Sequence, residues 1–193
     1  MGIYPDLFVL RHGQTLWNAA GRHQGRLNSE LTETGRQQAR RQGRILAGAG
    51  LDAGTTDFYV SPLGRARQTA DLALGVIGQS ALVDERLKEI GFGGWEGLNS
   101  AEIDARWPEN RQIADQFDWH FSAPGGEGFD SLFTRARSFL DDLTGPSVIV
   151  THGITSRVLR GIWLGLDRDG MGRLEGGQGM VYHLAQRRQT RLD

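Results

Sequence analysis

Two short apolar runs in the chain end in the same way, at a histidine followed by a glycine. The run Leu7–Leu10 stops at Arg11-His12-Gly13, and the run Ser147–Val150 stops at Thr151-His152-Gly153. A continuous apolar run of about four to eight residues between polar boundaries is typical of a strand that is buried on both faces, as in a parallel sheet. Both runs therefore predict central strands that lead directly into a histidine-containing loop.

Helical patterns alternate with these strands. Asp57–Val60 and Met180–Leu184 predict two further strands. The alternation predicts an α/β fold with a mostly parallel sheet and right-handed crossovers. We expect helices in six places: from an N-cap within Leu31–Thr34 to about Leu46, Gly64–Leu74, from Ser100 to just before Pro108, Asn110–Trp119, from Asp130 or Ser131 through Leu143, and Ile154–Leu164.

The predicted topology gathers histidines and arginines at one edge of the sheet. Ligands of open α/β sheets bind just beyond the carboxyl ends of the strands. His12 and His152 each follow a predicted strand directly. Arg11 stands beside His12, and Arg65 begins the helix after the strand Asp57–Val60. We therefore expect two imidazoles and two guanidinium groups to lie close together.

Metal binding and nucleotide binding fit this cluster poorly. Protein zinc sites use three or four ligands, often two of them at helical spacing. None of the five histidines lies within five residues of another, and neighbouring arginines repel a cation. A P-loop of the form G-x-x-x-x-G-K-[ST] is absent, and no G-x-G-x-x-G follows the first strand. The sequence therefore predicts no metal site and no nucleotide fold.

Phosphoryl transfer through a histidine fits the cluster better. The transferred group carries negative charge on its oxygens, so arginines at positions 11 and 65 suit it as bidentate donors. Neutral His12 can attack phosphorus, and His152 can add a donor if it is protonated. A loop carboxyl group such as Glu89 can protonate the leaving oxygen. A histidine at the end of a strand is also often only a hydrogen-bonded structural residue, which stays an alternative.

Composition excludes several other classes of function. Lys and Arg number 22 against 23 Asp and Glu, so the chain has no basic excess for nucleic acid or anionic membranes. The absence of cysteine excludes disulfides, thiolate metal sites and thiol nucleophiles. No apolar run approaches the length of a membrane span, and the N-terminus does not resemble a signal peptide. We expect a cytoplasmic protein that acts on a small molecule.

Ordered sequence blocks resemble the histidine phosphatase superfamily, which is also called phosphoglycerate mutase-like. Together and in order, such blocks are far more specific than any one motif. They extend over most of the chain, from about Phe8 to Leu184. The blocks are Leu10–Asn18, Gln24-Gly25 with Leu31-Thr32 and Gly35, Ser61–Ala70, Leu87–Gly97, Pro124–Glu127 and Val150–Gly153.

The resemblance implies a fold and a role for each matched residue. The fold is a three-layer sandwich with a mostly parallel central sheet flanked by helices. His12 becomes the phosphohistidine, and Glu89 is first the general acid and then the general base. The phosphate pocket is completed by Arg11, Arg65 and His152. The implied substrate contacts come from Asn18, Gln24, Gly25 and Gly153.

Other polar residues near these blocks are expected to be structural or solvated. Glu96 is expected to be structural. His23 and His120 are expected in solvated loops, although both lie close enough in sequence to reach the pocket mouth. His183, in the last predicted strand, is expected to be structural. Core packing explains Trp95, Trp107 and Trp119 at least as well as a role in the pocket wall.

The superfamily includes both phosphatases and mutases. We expect one domain over residues 1–193, in which residues 97–128 form a small cap over the active site. Because that segment is short, we favour a phosphatase of small phosphorylated metabolites that needs no metal and no cofactor. A phosphoglycerate mutase that uses 2,3-bisphosphoglycerate is the alternative, and the basic tail Arg187–Arg191 would favour it by closing over the pocket. A non-catalytic binding protein is a weaker alternative, and the sequence leaves a homodimer open.

Overall fold

A six-stranded sheet forms the centre of the protein. The computed structural model describes residues 4–52, 54–113 and 115–193. The sheet order is β3-β2-β4-β1-β5-β6, in which the first four strands run parallel, β5 is antiparallel to β1, and β6 is antiparallel to β5. This confirms the predicted α/β fold. The strands are β1 Leu7–Arg11, β2 Asp57–Val60, β3 Leu82–Val83, β4 Ser147–Thr151, β5 Val181–Ala185 and β6 Arg188–Leu192.

Helices cover both faces of the sheet. Phe8 and Leu10 of β1 pack on one face with residues of α2 and α3, whereas Leu7 and Val9 pack on the other face with residues of α6 and α7. Side chains alternate between the faces of a strand, so one fully apolar strand can serve two cores. The helices are α1 Leu16–Ala19, α2 Glu33–Gly48, α3 Gly64–Leu74, α4 Ser100–Arg106, α5 Gln116–Trp119, α6 Phe129–Asp141, α7 Gly153–Leu164 and α8 Arg168–Arg173.

The segment 97–128 differs from the predicted helices. The predicted helix Asn110–Trp119 is wrong: a 3₁₀ turn at Pro108–Gln112 and the short α5 replace it. The Asp115 carboxylate accepts hydrogen bonds from two backbone N–H groups of α5 and so starts a separate helix. Asn99, not Ser100, caps α4, in a reciprocal pair with Glu102. The action of this segment as a cap stays a prediction.

The basic tail forms an edge strand. Residues Arg188–Leu192 pair with β5, after a turn in which Gln186 and Arg187 have φ of 49° and 62°. Leu7, at the start of β1, pairs with Leu184, so this turn lies at the end of the sheet opposite the histidines. The hairpin turn therefore does not close over the pocket.

In the described part of the chain, no helix has both the length and the apolar character that crossing a membrane requires.

Candidate active site

The two predicted histidines meet at the carboxyl edge of the sheet. His12 follows β1 and His152 follows β4, and their ring centroids are 5.1 Å apart. Backbone pairing continues past β1, since His12 N donates to Thr151 O at 3.0 Å. Arg65, in the first turn of α3, donates from Nε to His12 Nε2 at 3.2 Å. The arrangement follows directly from parallel strands that end side by side.

His12 is fixed as a neutral ring with one defined tautomer. Its Nδ1 lies 2.8 Å from Gly13 O, and a carbonyl can only accept, so Nδ1 carries the hydrogen. Burial lowers the pKa of His12 well below 6.5, and the charges of Arg65 and Arg11 lower it further. The Nε2 atom therefore holds the lone pair that a nucleophile requires.

Arg11 and Arg65 differ in how their donors are used. Arg65 Nη1 and Nη2 donate to the carbonyl oxygens of Leu27 at 2.6 Å and Gly25 at 2.8 Å. Arg11 Nε is buried and has no partner among the described residues. Its guanidinium packs against Gly153, where an added Cβ would lie 3.4 Å from Cζ. Arg11 therefore keeps unsatisfied donors beside the nucleophile, as an anion-binding group does.

The tautomer of His152 is set by a serine to which the sequence gave no role. His152 Nε2 lies 2.7 Å from Ser61 Oγ, and both residues are fully buried. Ser61 Oγ accepts from Leu63 N at 3.3 Å, and His152 Nε2 is the one acceptor for its hydrogen in the described structure. The hydroxyl therefore donates to Nε2, which places the ring hydrogen of His152 on Nδ1.

His152 can consequently donate a hydrogen bond without being protonated. Its Nδ1 is buried and, within the described ranges, has no partner. Burial lowers the pKa of His152 well below 6.5, followed by the charges of Arg65 and the neighbouring His12. His152 can thus act as a donor without the protonation considered from the sequence, because the neutral tautomer already presents Nδ1–H.

Glu89 is held at the N-terminus of α7. Its Oε1 accepts from the backbone N–H of Ile90 and Thr155 at 3.1 Å, and Oε2 accepts from Ile154 N at 3.1 Å. The first turn of a helix offers free N–H donors, which explains this attachment. Among the residues that the structure describes, Oε2 accepts this one bond, so it retains a lone pair that can carry a proton.

Among the predicted substrate residues, Asn18 lies in α1 and Gly153 begins α7, whereas Gln24 and Gly25 lie in the loop after α1. Asn18 Oδ1 accepts from Gln178 Nε2 at 3.0 Å, and within the described residues the amide nitrogen of Asn18 donates no hydrogen bond. Gln24 is buried, and its Oε1 has no partner among the described residues. Gly25 has φ of +53°, and an added Cβ would lie 2.1 Å from Glu96 Oε1, so this close approach requires glycine.

Glu96 holds two loops together. Its Oε1 accepts from Arg26 N at 2.8 Å and from Phe92 N at 3.1 Å. These bonds join the loop that contains Gly25 to the loop that follows Glu89. The contacts agree with the structural role expected for Glu96.

His23 and His120 are half-buried against aromatic rings, so their side chains are less solvated than expected. The His23 ring centroid lies 5.4 Å from that of Phe92 and 5.2 Å from that of Trp119. Burial, followed by the charge of His120, lowers the pKa of His23 to about 4. The His120 ring lies 5.9 Å from Phe92. These edge-on and tilted contacts with aromatic rings remove part of each imidazole from water.

The three tryptophans Trp95, Trp107 and Trp119 belong to the hydrophobic core or pack against it. Trp95 is fully buried and stacks on Trp119 at 4.3 Å. His183, on β5, stacks on its cross-strand neighbour Phe8 of β1 at 4.2 Å. Both contacts are structural. Across residues 4–52, 54–113 and 115–193, no three His, Asp or Glu side chains gather as a metal site.

Comparison with known proteins relates this chain to enzymes of phosphate esters. Residues 7–191 match the pattern of the histidine phosphatase superfamily, branch 1. The chain is 35% identical over 174 residues to the probable phosphoglycerate mutase GpmB of Erwinia tasmaniensis, covering 88% of this chain and 79% of that protein. It is 30% identical to phosphoserine phosphatase 1 of Hydrogenobacter thermophilus, covering 83% and 77%.

A solved structure shows the same arrangement of elements. Mycobacterial glucosyl-3-phosphoglycerate phosphatase, in complex with VO3, superimposes with a TM-score of 0.82 at 32% identity. The match covers 94% of this chain and 92% of that structure.

Proposed function

Because the chain belongs to the histidine phosphatase superfamily, branch 1, we propose that it hydrolyses phosphomonoesters of small metabolites through a phosphohistidine at His12. The observation that carries the proposal is the fixed tautomer of His12. Its Nδ1–H is bound to Gly13 O at 2.8 Å, so Nε2 holds the lone pair beside the unsatisfied guanidinium of Arg11.

The first step transfers the phosphoryl group to the protein. Donors from Arg11, Arg65 and His152 Nδ1 bind the phosphoryl oxygens and stabilise the charge that spreads over them. A bond forms between His12 Nε2 and phosphorus while the bond from phosphorus to the leaving oxygen breaks. Glu89 gives its proton to that oxygen, so an alcohol departs.

The second step returns the protein to its starting state. A water molecule attacks the phosphohistidine and gives a proton to Glu89. The bond between His12 Nε2 and phosphorus breaks, and inorganic phosphate departs. The attachment of Glu89 to the first turn of α7 holds the carboxyl group in place, and the remaining lone pair of Oε2 serves both proton transfers.

The position of the basic tail in the sheet favours hydrolysis over mutase activity. A mutase keeps water from the phosphohistidine and holds an acceptor hydroxyl in its place. Residues Arg188–Leu192 form β6 and pair with β5, so they are not available to cover the pocket. The named relatives include a probable mutase, which keeps mutase activity as the second candidate. Independence from metals and cofactors, a cytoplasmic location and a homodimer belong to the proposal as predictions.

The stability of the phosphoenzyme in acid and in alkali distinguishes a phosphohistidine from other phosphorylated residues. Enzyme mixed briefly with a ³²P-labelled phosphomonoester should carry label that is lost in acid and kept in alkali, as phosphohistidine is. His12→Ala should carry none and should have no turnover. Label on a serine or an aspartate in place of His12 would refute the mechanism.

A further inference from the structure

The peptide unit between Gly13 and Gln14 is hydrogen-bonded at both of its polar groups. Its carbonyl oxygen, Gly13 O, accepts from His12 Nδ1 at 2.8 Å. Its N–H group, on Gln14, donates to Gln38 Oε1 at 2.8 Å. A peptide unit is planar, and in the trans form its C=O and N–H groups point in opposite directions. Gln38 therefore holds the plane of the carbonyl that sets the tautomer of His12, although the proposed mechanism gives Gln38 no role.

The side chain of Gln38 is itself held in one orientation. Gln38 lies on α2 and is half-buried. An added Cβ on Gly179 would lie 3.0 Å from Gln38 Cγ, so the segment that precedes β5 packs against this side chain. The backbone N–H of Gln14 can only donate, so the amide group of Gln38 must turn its oxygen toward it. The fold thus defines both the position of Gln38 and the orientation of its amide group.

One face of α2 follows the backbone that leads into the nucleophile. Gly35, Gln38 and Gln42 are spaced three and four residues apart, so they share a face of the helix. An added Cβ on Gly35 would lie 2.0 Å from Gln14 O, which shows that helix and loop are in backbone contact. Gln42 Nε2 donates to Arg11 O at 2.9 Å. Of the two glutamines, Gln38 is the one whose bonded peptide unit also contacts the ring of the nucleophile.

This chain of hydrogen bonds has a direction that suits the first chemical step. His12 attacks as a neutral ring, so the ring becomes positively charged as the bond between Nε2 and phosphorus forms. Hydrogen bonds in series polarise one another. An acceptor at the Gln14 N–H increases the negative partial charge on Gly13 O, and that oxygen stabilises the positive ring through Nδ1–H. In the second step the ring becomes neutral again, so the same polarisation gives hydrolysis no assistance.

We infer that Gln38 is a positioning residue for the nucleophile, which orients and polarises the Gly13–Gln14 peptide unit and so promotes phosphoryl transfer to His12. This inference rests on the proposed phosphohistidine mechanism and adds a residue to it. Gln38 acts through the backbone and touches neither the substrate nor the ring.

The test separates the two chemical steps. Gln38→Met retains an unbranched side chain of high helix propensity but removes the acceptor. It should lower kcat/KM for p-nitrophenyl phosphate roughly 2- to 10-fold, as expected for one neutral hydrogen bond. Decay of ³²P-labelled enzyme in a chase of unlabelled substrate should not become slower. Gln38→Glu keeps an acceptor and should recover most of the loss, and Gln37→Met, at an exposed neighbouring position, is the matched control.

A spectroscopic measurement reads the same hydrogen bond without turnover. The ¹H resonance of His12 Nδ1–H should move upfield in Gln38→Met, because the Gly13 carbonyl becomes a weaker acceptor, and should stay in place in Gln37→Met.

Three results would overturn the inference. The first is a kcat/KM of Gln38→Met equal to that of Gln37→Met. The second is an equal slowing of kcat/KM and of label decay, which indicates a displaced nucleophile. The third is an Nδ1–H resonance that Gln38→Met leaves in place. A wild-type enzyme that forms no phosphohistidine would refute the proposed function and the inference together, whereas these three results in an enzyme that forms it would refute the inference alone.

Discussion

Removal of the Ser61 hydroxyl should impair catalysis through the tautomer of His152. In Ser61→Ala, His152 Nε2 loses its 2.7 Å partner and becomes a buried acceptor without a donor. The ring then gains stability by moving its hydrogen to Nε2, which turns Nδ1 from a donor into an acceptor that repels phosphoryl oxygens. An unsatisfied buried polar group costs about 1–3 kcal/mol, so kcat/KM should fall roughly 5- to 150-fold.

A second buried serine provides the control. Ser147, in β4, is also fully buried, and its Oγ donates to Gly145 O at 2.9 Å, away from the pocket. Ser147→Ala should lose similar stability in denaturant titrations but keep kcat/KM for p-nitrophenyl phosphate. Ser61→Thr retains a hydroxyl and should recover activity if the added methyl group is accommodated.

The spectroscopic assay reads the tautomer directly. In the wild type, ¹⁵N chemical shifts of the neutral His152 ring should assign the hydrogen to Nδ1, and in Ser61→Ala they should move toward the Nε2–H form. A wild-type ring with its hydrogen on Nε2 would refute the reasoning, as would a Ser61→Ala enzyme whose kcat/KM equals that of Ser147→Ala.

Four further outcomes are expected. Glu89→Gln should slow hydrolysis of glycerol 3-phosphate about 10²–10⁴-fold, but hydrolysis of p-nitrophenyl phosphate far less, because nitrophenolate barely needs a proton to leave. Equal losses on both substrates would mean that another residue is the general acid. Activity should survive dialysis against EDTA, because Arg11 and Arg65 supply the positive charge at the phosphoryl group; rescue of a lost activity by a divalent ion would contradict this. With 3-phosphoglycerate and 2,3-bisphosphoglycerate, inorganic phosphate should accumulate, and rapid formation of 2-phosphoglycerate would identify a mutase. His12 and His152 have a pKa well below 6.5 in the folded protein, so the unfolded chain binds more protons below that pH. The free energy of unfolding should therefore decrease as the pH falls from about 6.5 to 5. Urea titrations of the double variant His12→Asn/His152→Asn should show a shallower decrease.

The cluster of histidines and arginines at the carboxyl edge of the sheet was predictable from the sequence, because it does not depend on the order of the strands. Any parallel strands that end at His12 and His152 bring the two rings to the same edge. The position of Arg65 at that edge was predictable as well, because Arg65 lies at the start of the helix that follows β2. The sequence alone does not reveal hydrogen-bond direction. The donor role of neutral His152 depends on Ser61, which is 91 residues away and touches it only in the folded protein.

Where the structure differs from the sequence-based predictions, the differences have local physical causes. The strand β6 was missed because its hairpin turn has positive φ at Gln186 and Arg187, where glycine or asparagine would normally announce a turn. The helix over 110–119 was wrong because the Asp115 side chain caps a new helix in the middle of it. His23 and His120 were assigned to solvent because ring packing against Phe92 and Trp119 has no periodic signature in the sequence.

The hydrogen bond from Arg65 Nε to His12 Nε2 means that the nucleophile is masked before substrate arrives. The lone pair that must attack phosphorus already accepts a hydrogen at 3.2 Å. A phosphoryl oxygen that takes over this Nε–H leaves Arg65 with the same number of bonds and frees the lone pair in the same movement. Electrophiles without such an oxygen meet an occupied nitrogen, so the substrate itself switches on the group that will attack it.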